Sequence, residues 1–109
     1  MNGEIVILCT CSSEAEAQRI ASRLLEDRLA ACVNVIPSVR SYYWWQEAIE
    51  SSAEYLLLIK STAAHFPAIE EAVRENHSYE VPELLAVPVL AGSANYLTWL
   101  NGNLRPANS

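Results

Sequence analysis

The chain has 109 residues, 51% hydrophobic and 18% charged, and is expected to fold as a single compact domain over residues 1–109. Its net charge of −6 and its scattered basic residues exclude nucleic acids and anionic membranes as partners. The amino terminus carries no basic targeting stretch and no apolar run reaches a membrane span, so we expect a cytoplasmic protein. Three cysteines are an odd set, which favours reduced thiols over disulfides.

The first elements predicted along the chain are a strand and a helix. Residues 4–11 form a mostly apolar run of strand length. Ser13 followed three positions later by Glu16 is a capping box, and it opens a helix that continues to about residue 29. The helical periodicity assigns Leu25 to the inward face and Glu16 to the outward face.

A long hairpin is predicted next. Residues 31–36 indicate a second strand, which bends at Pro37 because proline inside a strand favours an edge or a bulge, and which resumes over residues 39–45. Residues 46–52 are predicted to turn the chain. The apolar run within residues 53–60 then predicts the returning strand.

The second half predicts a helix, a strand and a final helix. Pro67 lies near the start of the second helix, where proline is tolerated, and the helix is expected to end near Asn76 with His65 exposed on its first part. Residues 84–90 predict a fourth, edge strand, and a short helix follows Ser93. The order β-α-β-β-α-β plus a carboxyl-terminal helix predicts an α+β, ferredoxin-like fold (split β-α-β), with an antiparallel sheet and two helices on one face.

Four aromatic residues stand side by side in the predicted hairpin, at Tyr42, Tyr43, Trp44 and Trp45. Neighbours on a strand point to opposite faces, so both faces of the hairpin need a cover. Each aromatic side chain buries about 150–250 Å² when covered, so the four exceed the apolar patch that a soluble monomer usually exposes. The expected cover is another copy of the chain.

Candidate metal ligands cluster in two short segments. His77 is followed closely by Glu80 and Glu83, an N,O donor set for a divalent ion, and Cys9 and Cys11 lie on the same face of the first strand. Spacing alone favours simpler roles: His77 as the end of a helix, the glutamates as solvated groups and the cysteines as core residues. Cys-x-Cys alone lacks the second ligand pair of a zinc site.

Catalytic signatures are not found in the sequence. Three glycines cannot form a dinucleotide-binding fingerprint or a phosphate-binding loop, and no nucleophile-elbow or zinc-protease motif occurs. A nucleophilic pair of Cys9 and His77 is conceivable, but no sequence motif identifies a third residue that would orient the histidine. We therefore expect a protein that is not an enzyme.

Several motifs, in order and spacing, resemble the CutA divalent-cation tolerance family over nearly the whole chain. They are "LAACVNV", "SYYWWQEAIE", "LLLIKS", "HSYEVPELL" and "NYLTWLN". The resemblance implies a ferredoxin-like subunit in a tight homotrimer, related in architecture to the P-II signalling proteins. It also implies binding of copper or another divalent ion near the subunit clefts.

By the same resemblance, the metal ligands of the family correspond to Cys9, His77 and Glu83, with copper or zinc as the ion. Two positions depart from the family pattern. Ser78 stands where the family usually has proline, which is expected to loosen the loop holding His77, and Glu47 stands where the hairpin turn usually has glycine.

Two functions remain open at this point. One is a homotrimeric metal-binding protein of cation tolerance. The other is a trimeric signalling or scaffold module that binds a small ligand or a partner protein in the clefts between subunits.

Overall fold

The computed structural model describes residues 3–107. The strands in this part of the chain are β1 (Glu4–Cys11), β2 (Cys32–Trp45), β3 (Ala48–Thr62) and β4 (Leu85–Pro88). The helices are α1 (Glu14–Glu26), α2 (Phe66–Asn76) and α3 (Ala94–Gly102), and one 3-10 turn (Ala63–His65) precedes α2. The predicted order of elements and the predicted ferredoxin-like α+β class are confirmed.

The four strands form one antiparallel sheet in the order β2-β3-β1-β4. Alternate residues of β1 and β3 face α1 and α2, because successive side chains on a strand point to opposite faces. These residues and the inner faces of the two helices form one buried core, which contains Ile5, Ile7, Cys9, Cys11, Ala17, Ile20, Leu24, Leu57, Ile59, Ile69, Ala72 and Val73. The core fixes the end of β1 against α1 and α2.

Helix α1 begins at the predicted cap but ends earlier than predicted. The Ser13 hydroxyl accepts the backbone N–H of Glu16 at 3.2 Å, which satisfies one free donor of the first turn. At the other end Arg28 adopts φ 54°, and the Leu29 N–H bonds back to the Leu24 carbonyl at 2.9 Å. This is a Schellman ending built on a non-glycine residue, and it stops the helix at Glu26 instead of near residue 29.

The hairpin of β2 and β3 is longer than the sequence indicated. The prediction of a turn over residues 46–52 is wrong, because strand pairing continues to Trp45 and Ala48. Only Gln46 and Glu47 form the turn, with φ of 50° and 67°. Positive φ at both residues is typical of a type I′ turn, whose twist matches that of the flanking strands.

The predicted irregularity near Pro37 is confirmed as a register shift between Ile36 and Val39, where Ser38 adopts φ 66°. Strand β4 is shorter than predicted and ends at Pro88, which lacks a backbone donor. Within residues 3–107, no helix has the length and apolar character to span a membrane.

Three side chains lie where the periodicity did not predict them. Leu25 is 42% exposed on the flank of α1, whereas Glu16 is buried. His65 was expected on the surface but is buried, with Nδ1 2.6 Å from the Thr62 hydroxyl and Nε2 2.7 Å from the Arg105 carbonyl. The tail that follows α3 covers this histidine, and helical periodicity cannot predict a contact with a segment so distant in the sequence.

Candidate metal centre

The two cysteines of β1 lie at the end of the strand, on the face that α1 and α2 cover. Cys9 is paired with Leu57 and Cys11 with Tyr55 in the β3 register. Both thiols are free and fully buried. The alternation of a strand therefore points two sulfur atoms to the same side of the sheet.

His77 is the residue that ends α2, and two hydrogen bonds fix its ring. The backbone N–H of Tyr79 donates to Nδ1 at 3.0 Å, so Nδ1 is unprotonated and Nε2 carries the hydrogen. Nε2 lies 2.7 Å from the carbonyl oxygen of Thr10, to which it donates. Thr10 stands between the two cysteines, so this bond holds the imidazole beside the two thiols.

These contacts bring Cys9, Cys11 and His77 into one group, in which one ligand atom from each residue lies within 4.8 Å of the others. The side chain of His77 is fully buried, as are the two thiols. Two sulfurs and one imidazole nitrogen are the donor types that zinc and copper prefer. The donor set therefore fits the metal that the family resemblance implies.

The structure brings together two of the three ligands expected from the resemblance. Cys9 and His77 meet, whereas Glu83 is not a member of the close group and lies on the rim of an adjoining groove. The third member is Cys11, which the sequence assigned to the core.

Glu16 supports the loop that carries His77. Its carboxylate accepts the backbone N–H of Ser12 at 3.1 Å and the backbone N–H of Ser78, and Oε2 lies 3.9 Å from Nδ1 of His77. Burial by itself would raise the pKa of Glu16, but the hydrogen bonds from Ser12 and Ser78 and the nearby His77 together lower that pKa below 4.5. A proline at position 78 could not donate this bond. The expectation that Ser78 loosens the loop is therefore offset by its bond to Glu16.

The thiol of Cys9 is held in its protonated form. Its hydrogen bond with the Cys11 side chain, its burial, and the charges of Cys11, Glu83 and Glu16 raise the pKa of Cys9 far above its ordinary value. A protonated, buried thiol is a poor nucleophile. A metal that binds here has to displace that proton.

An open groove of about 910 Å³ runs from this group to the aromatic hairpin. Carboxylates and aromatic rings dominate its walls, which are formed by Thr10, Ser41, Tyr42, Tyr43, Trp45, Glu50, Glu54, Ser78, Tyr79, Glu80, Val81, Pro82 and Glu83. Inside it the Tyr79 hydroxyl donates to the buried carboxylate of Glu54 at 2.7 Å. Burial and this bond raise the pKa of Tyr79 well above 10.0 and keep its hydroxyl protonated.

Two residues of the site were missed by the sequence reasoning. The capping-box pattern did single out Glu16, but its carboxylate bonds to Ser12 and Ser78 and does not return to the Ser13 backbone. No sequence pattern indicated a role for Glu54, because the Tyr79 hydroxyl that donates a hydrogen bond to it comes from a segment 25 positions away.

Comparisons with known proteins agree with this architecture. Residues 5–103 match the family described as CutA1 divalent ion tolerance protein. The divalent-cation tolerance protein CutA of Pectobacterium atrosepticum is 48% identical over 101 residues, covering 93% of this chain and 92% of that protein. Among solved structures, the divalent cation tolerance protein (Cut A1) of Thermus thermophilus has 45% identity and a TM-score of 0.92, with 94% of this chain and 99% of that chain covered.

A third relative is the periplasmic divalent cation tolerance protein CutA of Archaeoglobus fulgidus. Its structure is similar to this one with a TM-score of 0.91 and 36% identity, and the match covers 94% of this chain and 99% of that chain. The chain therefore belongs to the CutA1 divalent ion tolerance family.

Proposed function

We propose that the chain is a homotrimeric metal-binding protein of divalent-cation tolerance. The proposed ion is copper, with zinc as the alternative, and Cys9 and His77 hold it. The observation that carries this proposal is the approach of Cys9 Sγ and a ring nitrogen of His77 to within 4.8 Å in a buried setting. A thiolate and an imidazole together suit copper or zinc better than magnesium or calcium, which prefer oxygen ligands.

Glu83 has a separate part in this proposal. Its charge is among those that raise the pKa of Cys9, so it lies near enough to act on the site electrostatically. As a residue of the groove rim, it can attract a cation or join the coordination after the loop moves. Replacing it should weaken metal binding less than replacing Cys9 or His77.

The proposed trimer rests on surfaces that the isolated chain leaves uncovered. In the hairpin, Tyr42, Tyr43, Trp44 and Trp45 are 71%, 41%, 72% and 60% exposed. Strands β2 and β4 are the free edges of the sheet, and β4 exposes Leu85 and Val87. A cyclic trimer can cover these aromatic residues and pair the free edges, which would otherwise template aggregation.

The metal proposal is tested by calorimetric titration with copper and with zinc under anaerobic conditions without added thiols. The chains compared are the wild type, His77→Ala, Cys9→Ser, Glu83→Gln and the matched control Cys32→Ser, whose cysteine lies outside the ligand group. We expect one site per chain, a strong loss in the first two variants and no change in the control. Unchanged affinity in both His77→Ala and Cys9→Ser would contradict the proposal.

Metal binding should also weaken as the pH falls. Both the imidazole and the thiols bind a metal in their deprotonated forms, so protons compete with the ion at each ligand. The same titration repeated at several pH values, with folding checked by circular dichroism, measures this dependence. An affinity that is independent of pH would point to oxygen ligands alone.

A second candidate function is a trimeric P-II-like signalling or scaffold module, and the groove is the observation that favours it. Its volume of about 910 Å³ is sufficient for a small organic ligand. None of its described lining residues is a lysine or an arginine, whereas Glu50, Glu54, Glu80 and Glu83 are among them. Nucleotides and other anions should therefore bind poorly, and a panel of neutral, cationic and anionic ligands would separate this function from metal binding.

The proposed location is the cytoplasm, and the proposed role is binding without catalysis. The three free cysteines suit a reducing compartment. The family name refers to tolerance of divalent ions and to no reaction. Fractionation of cells with an antibody to the chain tests the location, because a periplasmic pool would contradict it.

A further inference from the structure

The close group contains a second sulfur that the proposed function does not use. Cys11 Sγ lies within 4.8 Å of Cys9 Sγ and of the His77 imidazole, whereas Glu83 is outside this group. The side chain of Cys11 is fully buried, as is that of Cys9. The chain therefore offers a metal two thiols at the end of one strand.

The separations allow a single ion to bind all three atoms. Metal–sulfur bonds of about 2.3 Å and metal–nitrogen bonds of about 2.0 Å place ligands of a trigonal ion about 4 Å apart. The observed limit of 4.8 Å exceeds this spacing by less than about 1 Å. Small side-chain rotations can close that difference, because β1 already points both sulfurs to one side.

We propose that Cys11 is the third ligand of the site, and that the resulting pair of thiolates and one imidazole selects the cuprous ion over the cupric ion. This inference rests on the proposed metal-binding function and specifies the oxidation state of the copper ion that is bound. Soft thiolates favour Cu(I), whereas Cu(II) favours nitrogen and oxygen ligands in a square plane. The ion binds with displacement of one proton from each thiol, and no electron transfer is needed.

The acidic groove gives the cation a route to the sulfurs. Thr10, the residue between the two cysteines, lies in the wall of the groove, and the carboxylates of Glu80 and Glu83 line the same opening. Carboxylates along a cleft raise the local concentration of cations. The ligands themselves are buried, which protects Cu(I) from water.

The ring of His77 has to give up hydrogen bonds to bind. Its Nε2 hydrogen is donated to the Thr10 carbonyl and its Nδ1 accepts from Tyr79, so both nitrogens are engaged in the metal-free protein. If Nε2 binds the ion, its proton moves to Nδ1, which then no longer accepts from Tyr79 and lies 3.9 Å from the carboxylate of Glu16. A carboxylate beside the distal nitrogen is the usual support of a metal-bound histidine.

The test is an anaerobic titration with Cu(I), supplied as its acetonitrile complex, against a chromophoric Cu(I) chelator. The chains are wild type, Cys9→Ser, His77→Ala, Cys11→Ser, Cys11→Ala and the control Cys32→Ser, each checked for folding by thermal unfolding without metal. We expect both Cys11 variants to lose at least about tenfold in affinity, because even the loss of a group that only supports a metal ligand typically has that effect. The ultraviolet thiolate-to-copper band should fall by about half in the Cys11 variants while Cys32→Ser retains it, since one of two proposed thiolates is removed.

The outcomes separate this inference from the proposed function. If wild type binds Cu(I) and loses it in Cys9→Ser and His77→Ala but not in either Cys11 variant, the inference is wrong and the metal-binding function stands. If wild type binds Cu(II) more tightly than Cu(I), the inference is also wrong. If wild type binds neither copper ion nor zinc, both the inference and the function fail.

Discussion

Removal of the two hairpin tryptophans is the sharpest test of the proposed assembly. Trp44 and Trp45 are 72% and 60% exposed in the single chain. With about 250 Å² for each side chain, these fractions leave about 330 Å² uncovered per chain. At about 25 cal/mol per Å², full cover by a neighbouring subunit would contribute about 8 kcal/mol per chain as an upper limit.

The assay is sedimentation velocity at micromolar concentration, with thermal unfolding on the same samples. Wild type should sediment as one species of three subunits. The double variant Trp44→Ala, Trp45→Ala should dissociate to monomers, because half of the estimated contribution, about 4 kcal/mol per chain, changes an equilibrium constant roughly a thousandfold for each subunit. Its melting temperature should fall and become dependent on concentration.

Leu25→Ala is the matched control for this experiment. Leu25 is also an exposed apolar residue, at 42%, but it belongs to α1 and is not part of the hairpin. It should remain a trimer with a melting temperature close to that of the wild type. A monomeric wild type, or a double tryptophan variant that stays trimeric and equally stable, would refute the reasoning.

Three further predictions concern stability and the thiols. Glu16→Gln should cost about 1.5–3 kcal/mol of unfolding free energy at neutral pH, because the carboxylate loses charge-assisted hydrogen bonds. Since the folded pKa of Glu16 is depressed, its stabilisation is complete above about pH 4.5 and is lost as the pH falls through the folded value, so urea unfolding of wild type and variant should converge in acid. Glu47→Gly should raise the unfolding free energy by about 0.5–1 kcal/mol, because φ of 67° strains a side chain but not glycine; a decrease in the urea midpoint would contradict the turn geometry. Alkylation under denaturing, non-reducing conditions should add three labels per chain by mass, and a single label would reveal a disulfide.

The sequence by itself determined the elements and their order. Capping at Ser13, the helical spacing of the apolar residues and the apolar run over residues 4–11 are local signals, and they were sufficient for the ferredoxin-like plan. The bend at Pro37 could also be predicted, since proline removes a donor from the ladder.

The end of α1 and the turn of the hairpin depend on backbone conformations that these residue types do not indicate. Arg28 ends α1 with positive φ, and Gln46 and Glu47 close the hairpin in the same region of backbone space. Glycine or asparagine would have signalled these positions. Here the tertiary contacts of the flanking strands and helices hold ordinary side chains in a strained conformation.

The candidate metal centre was also predicted only in part from the sequence. The residues alone made a pair of Cys9 and His77 conceivable, and the family resemblance was needed to assign both to one metal site, because 67 positions separate His77 from the Thr10 carbonyl that it contacts. The tertiary structure decided that Cys11 joins them and that Glu83 stays outside the close group. Periodicity fixes the face on which a side chain lies, whereas the distance between two elements depends on strand register and helix packing. In this protein that packing buries Glu16 and holds the loop after α2 against the end of β1.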